Sequence, residues 1–138
     1  SSFLKNLKKN KILFNKSYYA SVKLEEPEKS FEIIKTMLMK NKKITAIICS
    51  TEFSALSAIK ACNFLNYKIG KDISIITFDG PLVRDLSTPP ITAVSFPVKE
   101  LGKRAINILL DNKKSNKKIK NYLANSQIIE RGSVHTVK

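Results

Sequence analysis

ITAIICSTEFSALSAIKAC (44–62) and KDISIITFDG (71–80) together read as a strand, a helix and a second strand. The first opens with the short apolar run Ile44–Cys49, in which Thr45 is the one polar residue, turns polar at Ser50-Thr51-Glu52 and continues at helical spacing. The second runs through Ile73, Ile75, Ile76 and Phe78 and ends on Asp79-Gly80. A short continuous apolar run between polar flanks suits a strand covered on both faces. Strand, helix and strand over about thirty residues make a βαβ unit, whose two strands lie parallel. In an open parallel sheet, ligands bind in the crevice beyond the carboxyl ends of the strands. Two polar strand tips therefore predict one small-molecule site.

Downstream, STPPITAVSFP (87–97) and VKELGKRAINILL (98–110) follow. Pro89-Pro90 cannot sit inside a central strand and mark a turn. Ile91 to Phe96 reads as extended, and Pro97 opens a helix with Val98, Leu101, Ala105, Ile108 and Leu109 on one face. Upstream, residues 3–9 read as the end of a helix before Asn10, and Ile12–Phe14 and Tyr18–Val22 are β-prone, so at least one should be a strand. Pro27 suits a helix start, with Glu25, Glu26 and Glu28 around the positive end of its dipole. Phe31, Ile34, Met37 and Leu38 then recur at helical spacing as far as Asn41. Within 52–66, Phe53, Leu56, Ile59 and Phe64 are the candidate core residues, and Asn66, Tyr67 and Gly70 provide the stop. After a lysine-rich loop, Ile119–Leu123 and Gln127–Ile129 are short strand candidates, and the tail from Gly132 onward reads as loose.

The whole is an α/β chain with a doubly wound, mostly parallel sheet. Its 138 residues suffice for one domain. The net charge of +14 invites a nucleic-acid reading. The excess is nearly all lysine, however, scattered with asparagine along the chain, whereas groove reading favours arginine. A composition bias running through the proteome explains it more simply. No apolar run is long enough to span a bilayer, and the start lacks the pattern of a secretory signal. Cys49 and Cys62 have no CxxC spacing, which suggests buried thiols in a reduced, cytoplasmic chain without a metal. An enzyme is the least supported class. The only histidine, His135, lies in the tail expected to be loose, and Gly70, Gly80, Gly102 and Gly132 make no phosphate loop or dinucleotide fingerprint. Nothing points to a cofactor.

Four pieces in order then resemble the effector-binding domain of LacI/GalR family transcription regulators. They are Ser50-Thr51-Glu52-Phe53-Ser54-Ala55-Leu56, Asp72–Asp79, Thr88-Pro89-Pro90-Ile91-Thr92-Ala93-Val94 and Leu101-Gly102, with Arg131-Gly132-Ser133 near the end. The match runs from about Phe3 to Ser133. It implies a periplasmic-binding-protein-like fold of two lobes with a small effector, a sugar or purine-like molecule, between them. Residues 1–95 would then be mainly one lobe, 96–112 a helix belonging to the other lobe, and 113–138 return strands and tail. It also implies a homodimer, with operator DNA bound only through a helix-turn-helix that precedes such a domain. A sugar-binding protein of an ABC transporter shares the fold and is the alternative, as is a degenerate fragment serving only for dimerisation.

The resemblance makes Asp79, Thr51, Glu52 and Phe78 the ligand-binding candidates, and Leu56, Leu82, Leu86 and Ser87 the dimer contacts. Each has a plainer reading beside it. Asp79 can accept from two neighbouring sugar hydroxyls or simply turn the chain before Gly80 and Pro81. Thr51-Glu52 also looks like an ordinary helix start, threonine as cap and glutamate in the first turn. Several departures from the family pattern bear on the ligand. Leu24 or Glu25 falls near a position that is often aromatic, Thr77 replaces a glycine, and Gly80 replaces an acidic or amide residue. Phe96 replaces a glutamine and reads as core or hinge.

Overall fold

The computed structural model describes residues 2–22, 26–78, 83, 86–114 and 122–136. Helix α1 spans Ser2–Lys9, α2 Pro27–Lys40, α3 Glu52–Phe64 and α4 Val98–Lys114. Strands β1 (Ala46–Cys49), β2 (Ser74–Phe78), β3 (Thr92–Ser95) and β4 (Gln127–Ile129) form one sheet in the order β1-β2-β3-β4. β1, β2 and β3 run parallel, and β4 adds to β3 antiparallel. The α/β class and the mostly parallel sheet are as the apolar runs predict.

Helix ends follow local chemistry. Pro27 sits in the first turn of α2, where its missing N–H costs nothing. At the end of α3, Asn66 takes a left-handed φ of 59°, Asn66 N–H donates to Asn63 O and Tyr67 N–H to Cys62 O. That is a Schellman stop, with asparagine in the place glycine most often fills.

Packing departs from the sequence expectation in three places. First, α3 does not bury Phe53 and Phe64, which are exposed; it buries Ala55, Ser57, Ala58, Ala61 and Cys62. Its apolar residues lie all round the helix, so spacing does not choose a face. Close approach to the sheet does, and it favours small side chains. Second, β1 is covered on one face only. Cys49 is buried, but Ile48 is 54% exposed on the opposite face, since the α2–α3 layer lies on one side of the sheet. Third, 12–22 contains no strand, only a short 3-10 turn at Lys16–Tyr18 capped by Asn15. β propensity alone does not make a strand without a neighbour to pair with. Gln127–Ile129 is a strand as expected; within Ile119–Leu123, residues 119–121 lie outside the described residues and 122–123 are not strand.

The main core gathers Leu38, Cys49, Ala55, Ala58, Cys62, Ile73, Ile75, Val83 and Ile91. Both cysteines are free and buried, as read. Burial pushes the Cys49 thiol up to about 12 and the Cys62 thiol up to about 11, from an ordinary value of 9.0. The thiolate is the reactive species. In the folded chain at pH 8, iodoacetamide should therefore label both cysteines on the order of a hundredfold or more slower than in urea. Mass spectrometry of the quenched reaction checks this, and rapid labelling of the folded chain would contradict the packing around α3.

The tail corrects the sequence reading most. It is pinned, not loose, as far as His135. Ser133 is fully buried between β2 and β3: its Oγ donates to Ile75 O at 2.6 Å and accepts from Thr92 N–H at 2.8 Å. Its carbonyl accepts from Ile75 N–H at 3.0 Å. Arg131 donates from its guanidinium to Ile91 O, and its N–H donates to Thr92 Oγ1 at 3.0 Å. His135 Nδ1 lies 3.0 Å from Ser74 Oγ, and His135 N–H donates to the same oxygen at 3.2 Å.

Helix α4 is the opposite case. It makes no extensive contact with any other described element, and Val98, Leu101, Ile106, Leu109 and Leu110 are exposed along it. Tyr122 attaches to its surface, with its hydroxyl on the Glu100 carboxylate and Arg104 stacked 5.0 Å from the ring centroid.

Candidate functional site

The parallel register sets the geometry of the sheet's carboxyl edge. Cys49 stands opposite Thr77, and Phe78 opposite Val94. The residues that follow β1, the end of β2 and the end of β3 therefore share one edge of the sheet. Three of the ligand candidates, Thr51, Glu52 and Phe78, sit there together. Asp79, the fourth, lies outside the described residues, as do Leu24, Glu25, Gly80 and Leu82.

Thr51 and Glu52 are committed to holding the chain. Thr51 is the N-cap of α3: its Oγ1 accepts from Ser54 N–H at 3.2 Å, and Ser54 Oγ accepts from Thr51 N–H at 3.2 Å. This reciprocal pair is a capping box with serine in the third position. The spacing Thr-x-x-Ser was its visible signal, although serine is a less common partner than glutamate. Glu52 reaches across the fold, its Oε1 accepting from Val83 N–H at 3.0 Å. It thereby ties the connection between β2 and β3 to the start of α3. The plainer reading of both residues is the one the geometry favours.

Thr77 is buried on the α3 side of the sheet, where its side chain fills space instead of crowding the edge. Phe78 and Phe96 are each 42% exposed and stack on each other, with centroids 6.3 Å apart and planes at 15°. Phe96 is thus not a core residue, contrary to that part of its sequence reading. It lies two positions beyond Val94, the partner of Phe78, which makes the two rings diagonal neighbours on one face of the sheet.

Of the dimer candidates, Leu56 is half-buried and Leu86 is 75% exposed. Ser87 donates to Val83 O, a local bond within the β2–β3 connection. Phe53, which the sequence placed in the core, lies exposed on the outer side of α3. No group of three or more histidine, cysteine, aspartate or glutamate side chains among the described residues could hold a metal. No helix among them is long and apolar enough to cross a membrane.

Comparison with known proteins agrees with the fold. Residues 2–134 match the family model of the periplasmic-binding-protein-like domain. The chain belongs to that family, in its LacI/GalR branch. The HTH-type transcriptional repressor PurR of Haemophilus influenzae is 32% identical over 109 residues, covering 79% of this chain and 32% of that protein. PurR of Pectobacterium atrosepticum is 29% identical over 133 residues, 96% of this chain and 39% of its own length. Among solved structures, a LacI family transcriptional regulator from Bifidobacterium animalis subsp. lactis has a TM-score of 0.70 at 28% identity, over 78% of this chain and 40% of that one. A LacI-type regulator from Bacillus cereus subsp. cytotoxis, at 22% identity, shares the fold with a TM-score of 0.84 over 96% of this chain and 47% of that one. The chain thus spans about a third to a half of the proteins it matches. Within the LacI/GalR branch, this chain is part of the effector-binding domain.

Proposed function

We propose that this chain senses a small metabolite, a sugar or purine-like molecule, for a cytoplasmic LacI-type transcriptional regulator, and that it also carries the dimer contact. The reading is one of binding, not catalysis. The observation that carries it is the parallel register, which gathers the ends of β1, β2 and β3 along one edge. Asp79, directly after β2, is the proposed polar contact to the effector. Helix α4, with its apolar side chains exposed, is the proposed contribution to a second lobe that closes over that edge. Effector binding would shift the balance between open and closed lobes, hence the geometry of a homodimer and its affinity for operator DNA. Operator contact itself would come from a helix-turn-helix outside these residues.

The proposed dimer surface is Phe53 and Leu56 on α3 together with Leu86 and Ser87. Phe53 and Leu86 are large apolar groups left in water, which supports a covered surface there. In light scattering behind size exclusion, the chain should run as a dimer at tens of micromolar. A Phe53→Asp, Leu86→Asp double substitution should weaken that dimer by on the order of a hundredfold, because apolar anchors dominate such interfaces. A monomer at every concentration, or a dimer indifferent to both substitutions, would remove this surface from consideration.

A further inference from the structure

We infer that Glu52 is a positioning residue, which sets the two halves of the dimer surface against each other and ties them to the end of β2. The inference rests on the dimer surface proposed above and adds how that surface is held in shape. The surface comes from two elements: Phe53 and Leu56 stand on α3, Leu86 and Ser87 on the connection between β2 and β3. Glu52 precedes Phe53 directly, and its Oε1 accepts from Val83 N–H of that connection at 3.0 Å. Both ends of this bond are anchored. On the α3 side, Thr51 is locked in its capping box, and Ser54 Oγ donates to Thr51 O at 2.7 Å. On the other side, the Val83 side chain is fully buried in the main core, and its carbonyl accepts from Ser87 Oγ. Val83 is therefore held at its side chain, its N–H and its carbonyl, and it cannot shift without carrying Ser87 along.

The same connection leaves β2 at Phe78, on the carboxyl edge of the sheet, and its sequence includes Asp79, the proposed effector contact. A pull on the first part of the connection acts on Val83, and through it on Ser87 and Glu52. By linkage, a change at the dimer surface acts back on the edge through the same bond. Reach is what suits glutamate to this place. Aspartate is one methylene shorter, whereas glutamine keeps an accepting oxygen at the same distance and loses only the charge. The geometry uses the length of the side chain more than its ionisation.

The test compares the parent chain with Glu52→Ala, Glu52→Asp and Glu52→Gln. Sedimentation equilibrium gives each dimer dissociation constant, and NMR follows the Val83 and Phe78 amides. The alanine and aspartate variants should each weaken the dimer by about tenfold, the size of a lost hydrogen bond to a charged group. Glutamine should stay within about threefold of the parent, since it keeps the bond in neutral form. The Val83 amide proton should move upfield in the alanine and aspartate variants and least in the glutamine one, and the Phe78 amide should follow the same order. Urea unfolding of each variant separates this from a general loss of stability, which would lower the unfolding midpoint and leave the dimer constant alone. A dimer that follows charge, kept by aspartate and weakened by glutamine, would overturn the positioning role. Three unchanged dimer constants would overturn the inference yet leave the dimer surface standing, if Phe53→Asp, Leu86→Asp still weakens the dimer. A weakened dimer beside an unmoved Phe78 amide would overturn the tie to the end of β2. A parent chain that is monomeric at every concentration would overturn the surface and the inference together.

Discussion

Gly70→Ala should destabilise the chain by about 3 kcal/mol or more, the largest effect expected of any single methyl group added here. Two independent causes add. Gly70 holds a φ of +77°, a left-handed conformation that costs an L side chain roughly 1–2 kcal/mol. A Cβ at Gly70 would also stand 2.1 Å from the carbonyl oxygen of Gly132, which is backbone and cannot swing aside. Relief requires Gly132 to withdraw, and Ser133 follows it out from between β2 and β3. Urea unfolding followed by circular dichroism measures the loss. Gly102→Ala is the matched control: its added Cβ meets nothing within 4 Å inside a helix, so stability should stay level or rise. A Gly70→Ala protein within about 0.5 kcal/mol of the parent, the range of ordinary surface changes, would mean that the tail does not hold the sheet.

Ser133→Ala should cost about 2–4 kcal/mol, since it strands a buried donor and a buried acceptor together. The donor is Thr92 N–H and the acceptor is Ile75 O, both held by the one hydroxyl. Ser133 itself is fully buried, so water cannot easily replace it. Hydrogen exchange gives a local reading beside the global one. The Thr92 amide should lose protection more than the amides of α2, which lie in another layer. Uniform loss across all amides, or no loss at Thr92, would show that the hydroxyl is not what joins the two strands. Gly70→Ala and Ser133→Ala act on the same seam, so together they should cost less than the sum of the two alone.

How far the sequence could be read depended on whether burial left a periodic trace. β1 and β2 were legible from Ile44–Cys49 and from Ile73, Ile75, Ile76 and Phe78, stretches too short for helices, and β3 from the extended Ile91–Phe96 after Pro89-Pro90. α4 was legible from Val98, Leu101, Ala105, Ile108 and Leu109 at helical spacing. Arg131–His135 leaves no such trace. It is held by a hydroxyl, a guanidinium and main-chain groups that find partners some 40 to 60 positions away in sequence. The candidate site divides the same way. That Thr51 and Glu52 begin a helix was visible from residue type, whereas the reach of Glu52 to Val83 was not. Phe78 and Phe96 could each be named, but their stacking needed the β2–β3 register.

The order and kind of the main elements and the α/β class were local matters, written in short-range apolar spacing and turn residues, and the branch of the family showed in the motifs that the chain shares with LacI/GalR regulators. Which face of α3 is buried, that 12–22 forms no strand, that the tail is a clamp, and that Phe78 and Phe96 meet at the ends of β2 and β3 were settled only by tertiary packing. Each of those outcomes depends on distance to a partner far along the chain, and local propensity carries no information about that distance.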